Sequence, residues 1–168
     1  MIALDKKVFK TNLHVRMMYL SMLGDLMLVR RLTIDDYDEI VKLWNRASLP
    51  YKPEGRDTRP AIASEMEANP DFFIGAYEGN KLIGTVIASY DLRKGWINRL
   101  AVDPTCRRKG IAKTLITEAE KALRKRGVRI ICALIKDTNS SSIDLFKKCG
   151  YVEHHDIIYF SKRESEKI

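Results

Sequence analysis

The spacing of apolar positions changes several times along the chain, and each change marks an expected element. Residues 27–31 alternate like a short strand. Thr33 then stands where a helix cap is needed ahead of Tyr37, Ile40, Val41 and Trp44, which keep helical spacing. The stretch SLPYKPEGRDTRP, rich in Pro, Gly and charge, predicts a surface loop, and a second helix is expected over residues 61–68. Two strands follow at 72–77 and 82–90, joined by EGNK, whose Gly79-Asn80 step is a hairpin signal; a third covers 95–102. Ile111, Leu115, Ala119 and Ala122/Leu123 place one apolar face on a helix over 110–126, which Gly127 ends. Residues 128–135 are almost continuously apolar, the pattern of a strand buried on both faces. A short helix over 140–148 and one or two strands in YVEHHDIIYFSK complete an α+β order with a mixed sheet.

Chain length changes little in this picture, since 168 residues suit one ordinary domain. Residues 1–26 read as an extension ahead of the domain, 27–161 as the domain itself, and 162–168 as a charged tail. Met27 is a candidate start, because MLVRRLTIDD already opens a strand and a helix. The apolar run at 17–28 is broken by Gly24 and Asp25 and is far short of a membrane span, so no membrane partner is expected. Cys106, Cys132 and Cys149 are odd in number and lack metal spacing, which favours a reducing cytoplasm and no structural zinc. His154, His155 and Asp156 are neighbours that a strand would point to opposite faces, so no metal site is expected there either.

Charge adds a sharper clue. The formal net charge is +8, and residues 105–129 alone hold nine Lys or Arg against two acids, a net +7. Part of that cluster, KALRKRGVR, lies at the end of a helix, where cations are favoured anyway, and no aromatic platform for nucleic acid accompanies it. The other part, RRKGIA, opens the same helix. A helix start presents free N–H groups and partial positive charge, Gly110 removes the side chain where an anion would approach, and Arg107, Arg108 and Lys109 supply neutralising charge. A pyrophosphate fits this turn better than a lone carboxylate. Neither a G-x-G-x-x-G nor a G-x-x-x-x-G-K-[ST] sequence is present.

The segment Arg107-Arg108-Lys109-Gly110-Ile111-Ala112, with Val102 five residues upstream, resembles the [Arg/Gln]-x-x-Gly-x-[Gly/Ala] signature of the GNAT superfamily of acetyl-CoA-dependent N-acetyltransferases. NSSSIDLFKKCGY resembles that family's second block, with Asn139, Leu145, Gly150 and Tyr151 in register. The resemblance spans 27–161 and implies a mixed, mostly antiparallel sheet with helices on both faces. It implies acetyl-CoA as cosubstrate, with the backbone of Leu100, Ala101 and Val102 pairing with the pantetheine arm. Residues Arg107, Arg108, Lys109, Gly110, Ile111 and Ala112 would then hold the pyrophosphate, and Asn139 and Phe146 would line the channel near the thioester.

Two departures bear on the chemistry. Phe146 stands where the family often has a Tyr that protonates the leaving thiolate; Tyr151 and Tyr90 are the replacement candidates. The positions where relatives carry a base hold Asn98 and Trp96, so Asn98 is a candidate only by holding a water, with Asp91, Glu78 and Asp57 as fallback carboxylates. Freeing a lysine amine of pKa ~10.4 at pH 7 costs about 4.6 kcal/mol, against about 1 kcal/mol for an α-amine near ~7.8. A site without a strong base therefore favours an α-amine of a peptide or protein, or a weakly basic small amine. Tyr51, Arg56 and Asp57 lie in the loop on the acceptor side. The expected protein is a monomer or homodimer that acetylates by direct attack. A non-catalytic acyl-CoA sensor and a basic nucleic-acid-binding protein are the rival readings.

Overall fold

The computed structural model describes residues 27–165; the expected extension at 1–26 and the end of the tail lie outside the described residues. The elements run β1 (Met27–Arg31), α1 (Tyr37–Arg46), α2 (Arg59–Ala68), β2 (Phe73–Glu78), β3 (Lys81–Tyr90), β4 (Gly95–Val102), α3 (Ile111–Lys125), β5 (Ile131–Ala133) and α4 (Ser140–Lys148). Thr33 caps a single 3-10 turn that leads into α1, and Thr58 caps α2 by accepting from the Ala61 N–H. The five strands lie in sequence order. The first four are antiparallel, and β5 joins β4 in parallel.

Helices cover both faces, as adjacent residues of β3 show. Thr85 accepts a hydrogen bond from the Trp44 indole of α1 at 3.1 Å. Its neighbour Gly84 points the other way, where an added Cβ would lie 2.9 Å from Leu115 and 3.0 Å from Ile111 of α3. Gly95 of β4 lies equally close beneath Leu123. Ile111, Leu115, Ile116, Ala119 and Leu123 are all buried, and at about 1.5–3 kcal/mol for each large side chain they fix α3 on the sheet. No helix among the described residues is long and apolar enough to cross a membrane.

Two expectations need correction. The strand expected over 128–135 is reduced to three half-buried residues, with Ile130 and Leu134 more than half exposed. The reason is its place: among the described residues β5 is the last strand of the sheet, and one of its edges has no neighbour. The strand expected in 151–162 does not form. Val152, Ile157, Ile158, Tyr159 and Phe160 are 65–85% exposed. The run Ile157, Ile158, Tyr159 and Phe160 is apolar, but it is not paired with β5.

Candidate active site

The turn before α3 is shaped by two left-handed residues. Arg108 has φ +66° and Gly110 φ +80°, and no side chain caps the helix that follows. α2 and α4, by contrast, take side-chain caps from Thr58 and Asn139. The first-turn N–H groups of α3 have no acceptor within the helix, and alternating right- and left-handed backbone gathers such groups into an anion-binding hollow. A Cβ built on Gly110 meets nothing within 4 Å, so the approach is open. These features fit a phosphate-bearing ligand. Asp103 braces the turn from behind: it accepts from the Thr105 N–H and hydroxyl at 3.1 and 2.7 Å, and pairs with Arg46 and Lys81. The Thr105 hydroxyl above all, against the opposing effect of burial, holds its carboxyl far below the usual range. Arg107 reaches the Val102 and Ala47 carbonyls at 3.4 Å each, and Lys109 lies 3.5 Å from Glu78.

Beside this turn, β4 opens. It pairs with β5 only from Gly95 to Ile97, so among the described residues Leu100, Ala101 and Val102 have no strand on that edge. On the other edge Thr85 faces Ala101 while Ile87 faces Asn98, which sets Arg99 and Leu100 together against Val86 in a bulge. Arg99 adopts φ +49°, and Thr85 donates its hydroxyl to the Arg99 carbonyl at 3.3 Å. The indole of Trp44, the hydroxyl of Thr85 and the carbonyl of Arg99 thus form one hydrogen-bonded relay that pins the bulge.

The acceptor-side loop is tied to the same bulge. Asp57, 3% exposed, accepts from Arg99 Nε at 3.0 Å and from Nη2 at 2.7 and 2.5 Å, while Arg99 Nη1 donates to the Pro50 carbonyl at 3.2 Å. Both carboxylate oxygens of Asp57 are therefore engaged within the protein. Tyr51 packs its ring against Trp44, and Arg56 is exposed. The other fallback carboxylates are committed too: Asp91 accepts from the Lys94 and Arg93 N–H groups, which lower its pKa, and Glu78 lies against Lys109. Asn98, exposed between buried Ile97 and half-buried Arg99, donates from Nδ2 to Ser89 Oγ at 3.1 Å. Sequence reasoning passed over Glu65. Although the residue is exposed on α2, partial desolvation of its carboxyl, reinforced by the charge of Asp57 and opposed by Arg99 and Arg56, pushes the carboxyl up. Glu65 lies seven residues after the cap Thr58, about two turns along α2, and nothing in that spacing marks it out.

At the far end, Asn139 caps α4 by accepting from the Ser142 N–H at 3.2 Å and the Ser141 hydroxyl at 3.1 Å. Phe146 is buried on the same helix, edge-on to Tyr151 with ring centroids 4.9 Å apart. Two of the three cysteines are poorly placed for nucleophilic work: Cys106 is buried, and burial raises the Cys149 thiol.

Comparison with known proteins agrees with this geometry. The acetyltransferase (GNAT) family profile matches residues 37–151. Acetyltransferase plu1384 of Photorhabdus laumondii is 34% identical over 130 residues, covering 77% of this chain and 90% of its own. Acetyltransferase ECA0875 of Pectobacterium atrosepticum is 33% identical over 129 residues, with 77% and 89% covered. Among solved structures, the PaiA N-acetyltransferase of Thermoplasma acidophilum in complex with coenzyme A shares the fold, with TM-score 0.65 and 22% identity over 73% of this chain and 87% of that one. So does the ribosomal-protein-S18-alanine N-acetyltransferase of Escherichia coli, with TM-score 0.62 and 21% identity over 76% and 79%. With its uncapped helix start, its open strand edge and these relatives, the chain belongs to the acetyltransferase (GNAT) family.

Proposed function

We propose that this acyltransferase moves an acetyl group from acetyl-CoA to a primary amine by direct attack within a ternary complex. The observation that carries the reading is the uncapped, glycine-opened start of α3 beside the unpaired edge of β4. In this reading the pyrophosphate rests on the backbone of residues Arg107, Arg108, Lys109, Gly110, Ile111 and Ala112. The pantetheine arm adds to Leu100, Ala101 and Val102 as a further strand would, reusing backbone groups that β5 leaves unpaired. Asn139 and Phe146 belong to the thioester end, where α4 begins and packs.

The acceptor is an amine that reaches neutrality without a strong base, foremost a peptide or protein α-amine. Supporting this, Asp57, Glu78 and Asp91 are engaged by other groups, and Asn98, which does not titrate, holds a hydroxyl neighbour and is open to water. Direct attack is supported by the buried Cys106 and the raised Cys149 thiol. Thiol release from acetyl-CoA, measured against a panel of α-amine peptides and small amines, tests the proposal. Coenzyme A binding with no release for any amine would instead identify an acyl-CoA sensor.

A further inference from the structure

We infer that the Arg99–Asp57 pair is the positioning element of the acceptor side, fixing the segment between α1 and α2 to the β4 bulge so that the acceptor wall and the cofactor strand keep one separation. The inference rests on the acetyltransferase reading above and gives the pair a role which that reading does not assign.

The pair joins three parts of the molecule. Arg99 immediately precedes Leu100, on the edge of β4 that β5 leaves open. Asp57 immediately precedes Thr58, the cap of α2. Asp57 also accepts from the Lys52 N–H at 2.6 Å, and its own carbonyl accepts from the Tyr37 hydroxyl of α1 at 2.9 Å. Pro50, at the other end of the segment, is held by the same guanidinium. Both ends of a loop rich in Pro, Gly and charge thus converge on one arginine, whose fork matches a carboxylate in a way that a lysine cannot. The guanidinium also lies 5.6 Å from the centroid of the Trp44 ring, which closes its remaining face.

The energetics point to geometry more than to stability. A buried ion pair often stabilises a fold no better than apolar residues of the same size, because both charges lose their water. What the pair supplies is an orientation: a left-handed Arg99, which no glycine excuses, is held by its side chain and its carbonyl at once. With both partners enclosed, neither meets the acceptor directly. Each acts by placing Tyr51 and the loop around it.

The test uses the full chain, acetyl-CoA and an alanine tripeptide amide as acceptor probe. In Asp57→Asn, acceptor kcat/KM should fall about tenfold or more, mainly through KM, since a misplacement near 1 Å can cost up to ~10²-fold. The coenzyme A Kd should stay within about threefold, because the α3 turn is braced separately by Asp103. Hydrogen exchange over residues 50–57 should quicken. If the single variant fails to fold, Asp57→Leu combined with Arg99→Met removes both charges and should show the same KM rise in a folded protein. An acceptor KM within twofold of the original in either folded variant overturns the inference, as does an equal loss of coenzyme A affinity. Should the unaltered protein turn over no amine at all, the acetyltransferase reading fails on its own. The tether is then judged by exchange alone, and unchanged exchange over 50–57 in Asp57→Asn overturns it.

Discussion

The Tyr151 hydroxyl donates to the Glu120 carboxylate at 2.8 Å, linking the end of α4 to the middle of α3. Burial first, and then this bond to a negative partner, raises the phenol well above its usual pKa. A phenol so engaged is a structural strut and not a proton donor for a leaving thiolate. Tyr151→Phe should therefore leave kcat within about threefold and lower stability by about 1 kcal/mol, the net worth of one hydrogen bond. Steady-state rates and thermal unfolding of the one variant check both halves. A hundredfold loss of kcat with unchanged stability would restore Tyr151 as the acid.

Gly110→Ala and Lys125→Ala separate a shaped anion site from diffuse charge. A methyl at Gly110 meets no atom, so its effect must come from the backbone, where φ +80° costs an L-residue about 1–2 kcal/mol. Relaxing that strain turns the first-turn donors away, and coenzyme A affinity should drop about 5–30-fold. Lys125 lies in the last turn of the same helix and its loss should change affinity less than twofold. Calorimetric titration distinguishes the cases, and equal losses would count against the turn.

The acceptor's own pKa should govern the rate. At pH 7 a peptide with a free α-amine should outrun the same peptide blocked there and bearing only lysine, by at most a few hundredfold, the ratio set by ~3.5 kcal/mol. The advantage should shrink as pH rises towards about 9.5, where more of the lysine amine is neutral. Initial rates across that range provide the check. A lysine preference at pH 7 would mean that a base is present, and Glu65 would be the first residue to replace.

Asp103 links pH to the integrity of the turn before α3. Its carboxyl is held below the ordinary carboxylate range, so its ionised bonds stabilise the fold fully above the unfolded pKa of about 3.9 and fade as pH falls below it. Asp103→Asn should accordingly melt at a lower temperature than the original at pH 6–7, and the gap should narrow below about pH 4. Unfolding scans at pH 3, 4, 5 and 7 measure it. A gap independent of pH would mean that Asp103 acts through shape alone.

Much of this was readable before any coordinates because its causes are local. α3 combines an apolar face at helical spacing with a glycine at each end, and the glycine turn that opens it takes only six consecutive residues. The hairpin between β2 and β3 turns at Gly79-Asn80 as its composition requires. The misreadings came where neighbours decide. Residues 128–135 carry the apolarity of a central strand, yet a strand is buried on both sides only if other strands flank it, and here β5 ends the sheet. Arg99 and Asp57 lie 42 residues apart, and nothing within either segment announces the other. The left-handed turn at Arg99 was hidden for the same reason: its backbone conformation is imposed by tertiary contacts and not by its residue type.

Gly84 bears on the proposed cofactor site although it lies beneath the buried side of α3. Its single hydrogen is the spacer between β3 and Leu115 and Ile111, so it sets how high the helix start rides above the sheet. The open edge of β4 belongs to the sheet and the anion turn to the helix. A methyl at Gly84 would raise one against the other, and on the proposed reading this would leave two intact half-sites out of step for a ligand that spans both. Affinity for a long, jointed ligand is thereby adjustable from a position that the ligand never reaches.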